Sequence, residues 1–278
     1  MMRLFHRHLA PGFLIIGTEK GGTTSFFHHL ALHPRIRPPA EKEVCFFNKD
    51  ALFARGPGWY HRQFPTAPRW SDALTFEASP AYLYYPGVAE RIARYAPGMK
   101  LIAMLRDPVE RAYSAWNMHR QLRERNWDVV LHRLGTQPEH VRAAMLEYYD
   151  SIAAGDFTAT VRLLIGHIAD DRVEPGLLKR GLYARQIAEY RRHFPADQML
   201  VLESARCREN LSAELDRVAG FLGIERIAWD SLPVSGEKNH RREYASPMPE
   251  EARALLADLY RRPNEELFAM LGERFAWN

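Results

Sequence analysis

The sequence predicts an α/β fold, a single domain with a central parallel β-sheet flanked by helices, and three observations carry that expectation. Short continuous apolar runs alternate with stretches whose apolar residues recur at three- and four-residue spacing, as buried strands and their covering helices do. Proline, glycine and aspartate punctuate the joins at positions that start or stop helices. The chain has 278 residues, 46% of them hydrophobic and 26% charged, which is a globular composition at a length near the upper end of what one core supports. The expected domain therefore spans 1–278.

Taken in order, Phe13 to Ile16 is apolar at every position and reads as a strand buried on both faces. Thr23 to Leu32 follows as a helix. Leu74 to Phe76 is the second strand, Val88 to Tyr95 the next helix, and Leu101 to Leu105 the third strand. Asp107-Pro108 then offers an N-cap followed by proline at the first helical position, opening a helix from Val109 to Arg123. Residues 124–179 are helical by periodicity and carry no recognisable catalytic pattern. Tyr183 to His193 is a helix closed by Pro195, Met199 to Leu202 a strand, and Leu211 to Leu222 a helix closed by Gly223. A polar loop from Pro233 to Pro249 breaks the alternation. There is no internal repeat and no low-complexity tract.

Composition narrows the function classes. The formal charge of +4 is a modest excess that many proteins carry without an anionic partner. The apolar runs are far too short to cross a bilayer, so no membrane anchor is expected. The first residues lack an unbroken apolar core and read as no signal peptide. Two cysteines, Cys45 and Cys207, are too few for a disulfide framework and fit a reducing, cytoplasmic setting. His28 and His29 cannot share a helix face, His6 and His8 read as a polar tail, and no His/Cys spacing suggests a metal. No nucleic-acid module is recognisable, so no nucleic-acid partner is expected. The oligomeric state is not legible.

The chemistry-bearing pattern begins at Gly17, where Gly-Thr-Glu-Lys-Gly-Gly-Thr-Thr follows the first strand and opens a helix. In that setting backbone N–H groups and the helix dipole converge on an anion. The lysine stands at position 20, before the glycines, whereas a nucleoside-triphosphate loop would set it beside the threonine. The loop resembles the 5′-phosphosulfate loop of sulfotransferases that use 3′-phosphoadenosine 5′-phosphosulfate (PAPS), most closely the heparan-sulfate branch and its bacterial relatives. The resemblance implies a P-loop-kinase-like sulfotransferase fold. It implies that Lys20 contacts the bridging and 5′-phosphate oxygens while Gly21, Gly22, Thr23 and Thr24 cradle them.

Two further segments extend the resemblance. Lys42-Glu43-Val44-Cys45-Phe46-Phe47 is similar to the K-E-x-x-F-F segment, which implies that Glu43 is the catalytic base and that Lys42 steadies sulfonate charge or balances Glu43. Glu41 is the rival base, because an extended segment would set it on the same face as Glu43. The run from Lys100 to Arg106-Asp107-Pro108, continuing to Ser114, resembles the 3′-phosphate segment. Arg106 leaves the carboxyl end of a strand, where open α/β sheets bind ligands, and its guanidinium can fork onto a phosphate. Ser114 adds a hydroxyl; Arg111 reads as structural.

Weaker likenesses are Glu77-Ala78-Ser79-Pro80-Ala81-Tyr82, Arg180-Gly181-Leu182-Tyr183, and the basic loop from Lys238 to Arg242. They imply that Tyr183 lies near the adenosine and that Lys238 and Arg241 close over the 3′-phosphate. Ala78 stands where heparan-type enzymes often carry a lysine. On this resemblance PAPS is the donor, 3′-phosphoadenosine 5′-phosphate (PAP) the product, and no metal takes part. The acceptor would be a hydroxyl or amine of a glycan or small molecule. Residues 124–179, outside the resemblance, read as a helical insertion that either covers the acceptor site or extends the core. The alternatives are a nucleotide kinase or NTPase-like enzyme and a non-catalytic PAP-binding module.

Overall fold

The structure is a computed structural model that describes residues 6–135, 137–232, 244 and 246–277. Contacts divide the chain into two compact units, one from Met1–Arg106 and Gln186–His240, the other from Asp107–Arg185 and Arg241–Asn278.

The first unit holds β1 (His6–His8), β2 (Phe13–Gly17), α1 (Thr23–Leu30), α2 (Asp50–Phe53), α3 (Gly56–His61), β3 (Thr66–Pro68), β4 (Phe76–Ala78), α4 (Val88–Tyr95) and β5 (Lys100–Leu105). The second unit contributes α5 (Pro108–Gly135), α6 (Glu139–Ala153) and α7 (Phe157–Ala169). In the second unit α8 (Tyr183–Arg191) also begins, while its last residues and then β6 (Met199–Glu203), α9 (Ser204–Glu209) and α10 (Leu211–Leu222) belong to the first. Finally α11 (Glu250–Leu271) completes the second unit.

Four strands form one parallel sheet in the order β4-β2-β5-β6. Every residue of β2 is buried, as expected of a central strand covered on both faces. Phe13, Ile15, Phe76, Ile102, Met104 and Leu202 of the strands pack with Phe26 and Leu30 of α1 and with Leu215 and Val218 of α10. Because parallel strands need crossovers, helices cover the faces and the carboxyl ends of β2, β5 and β6 all lie on one edge.

Expectation and structure differ in places. The second strand is Phe76–Ala78, not Leu74 to Phe76; Leu74 makes only an isolated bridge with Ile36. His6 and His8 are not a tail but sit in β1, antiparallel to β3. The helix opened by Asp107-Pro108 runs beyond Arg123 to Gly135, with non-helical angles at Asn126.

In the second unit Trp116, Tyr148, Leu164, Leu178, Leu256 and Tyr260 share one core. Residues 124–179 join that core together with α11 and do not stand apart from it.

Candidate functional site

The glycine loop leaves the carboxyl end of β2 and folds back on β5. Thr18 N–H donates to Met104 O at 2.7 Å and Gly21 N–H to Thr18 O at 2.9 Å. A Cβ added at Gly21 would meet Met104 O at 2.6 Å, so the loop can lie this close to the strand only with glycine there. Gly22 caps α1 at φ 96°, a left-handed angle that glycine adopts at little cost.

Gly22 also lacks a side chain to cap the helix. The first backbone bond of α1 is Phe26 N–H to Gly22 O at 3.2 Å. The N–H groups of Thr23, Thr24 and Ser25 therefore face the loop without a side-chain cap, and the positive end of the helix dipole adds to them. Lys20, itself at φ 67°, stands beside this turn. Arg106 leaves the end of β5 and its Nη1 donates to Lys20 O at 3.4 Å. An ammonium, a guanidinium and uncapped N–H groups around one turn are a donor set that fits a phosphate ester.

A residue the sequence reading passed over stands at the same edge. Ser204 follows β6 directly, and its Oγ lies 3.7 Å from where a Gly22 Cβ would be. Arg208 Nη1 donates to that oxygen at 3.0 Å. The signal in the sequence is a serine two residues past the apolar run Met199 to Leu202, at the carboxyl end of an expected strand.

Glu43 lies in an irregular segment, not in the extended stretch expected, with φ 66° at Glu43 and 58° at Cys45. The two-residue alternation that would set Glu41 and Glu43 on one face does not apply to it. Glu43 is half exposed and pairs with Lys42, Nζ to Oε1 at 2.6 Å. After it the chain dives inward, and Cys45, Phe46 and Phe47 are all buried.

What receives that segment is Glu77 of β4, a carboxylate with no exposed surface. Its Oε1 accepts from Cys45 N–H at 2.9 Å, from Ser79 O–H at 2.5 Å and from Tyr82 O–H at 2.7 Å, while Oε2 accepts from Tyr60 O–H. Burial pushes the Glu77 carboxyl above the ordinary glutamate range, and the bonds from Ser79, Tyr60, Tyr82 and Cys45 oppose that rise.

The remaining candidates are in the second unit or outside the described residues. Ser114, buried in α5, accepts a hydrogen bond from Tyr244 O–H at 2.8 Å. Tyr183 opens α8, is 1% exposed, and packs its ring 5.7 Å from that of Trp277. Arg111, read as structural, is fully buried and donates from Nη2 to Leu177 O. Lys238 and Arg241 lie outside the described residues.

Residues 10–230 match a family model described as "Sulfotransferase domain". Over 286 positions the chain is 29% identical to human bifunctional heparan sulfate N-deacetylase/N-sulfotransferase 3, covering 94% of this chain and 30% of that protein. It is 28% identical over 288 positions to mouse heparan sulfate glucosamine 3-O-sulfotransferase 3B1, covering 96% of this chain and 65% of the relative. A solved structure, a sulfotransferase from Alicyclobacillus acidocaldarius, matches with a TM-score of 0.66 at 25% identity, covering 96% of this chain and 98% of that one. The chain thus spans less than a third of the first of these relatives and just under two thirds of the second.

Proposed function

The chain belongs to the sulfotransferase family, and from that premise we propose that it moves a sulfuryl group from PAPS to a hydroxyl or amine of a glycan or small-molecule acceptor. The observation that carries the donor assignment is the uncapped, lysine-bearing glycine turn beside Arg106. PAPS supplies the sulfuryl group and departs as PAP.

In this reading Lys20 and the N–H groups of Gly21, Gly22, Thr23 and Thr24 bind the 5′-phosphate and stabilise charge that grows on the departing oxygen. Thr23 is buried and Thr24 exposed. Arg106 offers a fork of N–H donors to the 3′-phosphate, a charge that ATP lacks. Glu43 takes the proton that the acceptor oxygen or nitrogen loses as it attacks. Lys42, bonded to Glu43, balances the charge of that carboxylate. Ser114, Tyr183, Lys238 and Arg241 hold donor-site roles on the sequence resemblance alone.

A glycan acceptor is favoured because relatives are named for heparan sulfate. Ala78, in place of a lysine, removes a charge that would help hold an acidic one. The test is calorimetry with PAP against ATP and magnesium, followed by labelled-PAPS transfer to de-N-sulfated heparan sulfate, heparan sulfate and a simple phenol. PAP should bind at least ~10-fold tighter than ATP, and one acceptor class should take the label. Equal affinities would remove the donor assignment; PAP binding without transfer to any acceptor would favour a non-catalytic binding module.

A further inference from the structure

We propose that Glu77 is a positioning residue whose buried carboxylate fixes the backbone that carries Glu43 and ties it to the strand end that carries Lys20. The inference rests on the reading of Glu43 as the proton acceptor and adds to it the part that aims it.

Residues 43–47 run into the core without joining a strand, so their N–H groups need partners other than a ladder. Cys45 N–H goes directly to Glu77 Oε1 at 2.9 Å. Phe47 N–H goes to the Tyr82 hydroxyl at 3.2 Å, and that hydroxyl, its oxygen already accepting, donates its own proton to Glu77 Oε1 at 2.7 Å. Two N–H groups, two residues apart, therefore end on one oxygen atom. Phe47 O is held in turn by Arg91 Nη1 at 2.9 Å.

The other end of the connection is equally direct. Glu77, in β4, stands two residues before the turn from Ser79 to Leu83, and that turn is bonded to the end of β2. Ser79 N–H donates to Ile15 O at 3.1 Å and Leu83 N–H to Ile16 O at 2.7 Å, one residue before Gly17 opens the loop of Lys20. One short piece of chain thus sets both the group that takes a proton and the loop that binds the leaving phosphate. Four donors converge on Glu77, and among the described hydrogen bonds none of them is a cation. An ionised carboxylate accepts only, so it satisfies all four at once, whereas an amide at this place would turn an N–H₂ toward donors.

The test uses the intact chain carrying Glu77→Gln or Tyr82→Phe, the second of which cuts the relay from Phe47 and leaves the carboxylate in place. Amide hydrogen exchange should quicken ~10-fold or more at 43–48 and stay at the parent rate in 100–105. PAP affinity should remain within ~3-fold of the parent. The transfer kcat should fall ~10- to 100-fold with the KM for PAPS steady, because misplacing a reacting group by about 1 Å can cost ~10² in rate. A purely structural role would lower the melting temperature of both variants yet spare kcat and the exchange of 43–48, and that result overturns the inference. So does a loss of PAP affinity as large as the loss of kcat. If Glu77→Gln does not fold, Tyr82→Phe decides alone. Glu43→Gln, run beside them, separates the two readings. Parent-rate transfer in Glu43→Gln overturns the base assignment and with it the aiming of Glu43. A dead Glu43→Gln beside fully active Glu77→Gln and Tyr82→Phe overturns only the role of Glu77.

Discussion

Left-handed backbone at Glu43 and Cys45 costs a residue with a Cβ about 1–2 kcal/mol each, so the surroundings must hold those angles in place. The resemblance to the K-E-x-x-F-F segment points to Glu43 but cannot show the angle, which is why Glu41 stands as the nearest rival on an extended segment. With φ 66° at Glu43, the expectation is that the two glutamates behave differently. Glu43→Gln should lower transfer by ~10² to 10⁴ while leaving PAP affinity unchanged, since the amide keeps the shape and loses the proton acceptor. Glu41→Gln should transfer at close to the parent rate. Steady-state kinetics with PAP calorimetry on both proteins checks this, and the opposite ranking would move the base to Glu41. Lys20→Ala should have another profile. With its ammonium in the proposed role on the bound phosphate, donor affinity and transfer should both drop by ~10-fold or more with the circular dichroism spectrum intact.

Elements were legible in proportion to how local their signals are. The strands β2, β5 and β6 announce themselves because each holds an unbroken apolar run, α4 because of its apolar spacing, and α10 because its spacing and Gly223 agree. In β4 the pattern failed for a physical reason. Its central residue is Glu77, a charge that reads as a strand end but is buried because four donors meet it. The pair β1 and β3 carries no readable signal because each is three residues long, too short for an alternation to register, and every residue of β1 is exposed. In α11 buried Ala252, Leu256, Tyr260 and Asn264 recur every fourth residue, yet Pro263 inside it reads as a helix breaker. The start of α5 shows the reverse case, a boundary fully encoded. Asp107 Oδ1 accepts Val109 N–H at 2.8 Å, and Pro108 takes the first helical place. Asp107→Ala should therefore cost about 1 kcal/mol. In a chain of this size that lowers the thermal midpoint by about 2–4 °C, whereas an unchanged melt would show that the cap carries no stability.

At the scale of the molecule, each unit is assembled from pieces distant in sequence. Residues 107–185 close a core with α11, and 1–106 share a sheet with β6. Periodicity reports only neighbours along the chain, so it marks 124–179 as helical without showing that α11 packs on α5 and α7. Global stability should nonetheless carry the mark of single buried groups, and Glu77 is the one to follow. Burial holds its carboxyl above the ordinary range, against four hydrogen bonds that lower it. The native state then binds a proton more readily than the unfolded chain does. Stability contributed by that difference is greatest below the unfolded value and is lost as pH rises through the raised native value. Glu77→Gln cannot titrate there. The stability of the parent minus that of Glu77→Gln should decline from the ordinary glutamate range up to the raised value and then stay level. Urea unfolding of both proteins between about pH 4 and pH 8 measures that difference directly, and all other titrating groups cancel from it to first order. A difference that grows with pH would mean that the four donors outweigh burial, and that the carboxyl is held below its ordinary range in the folded chain.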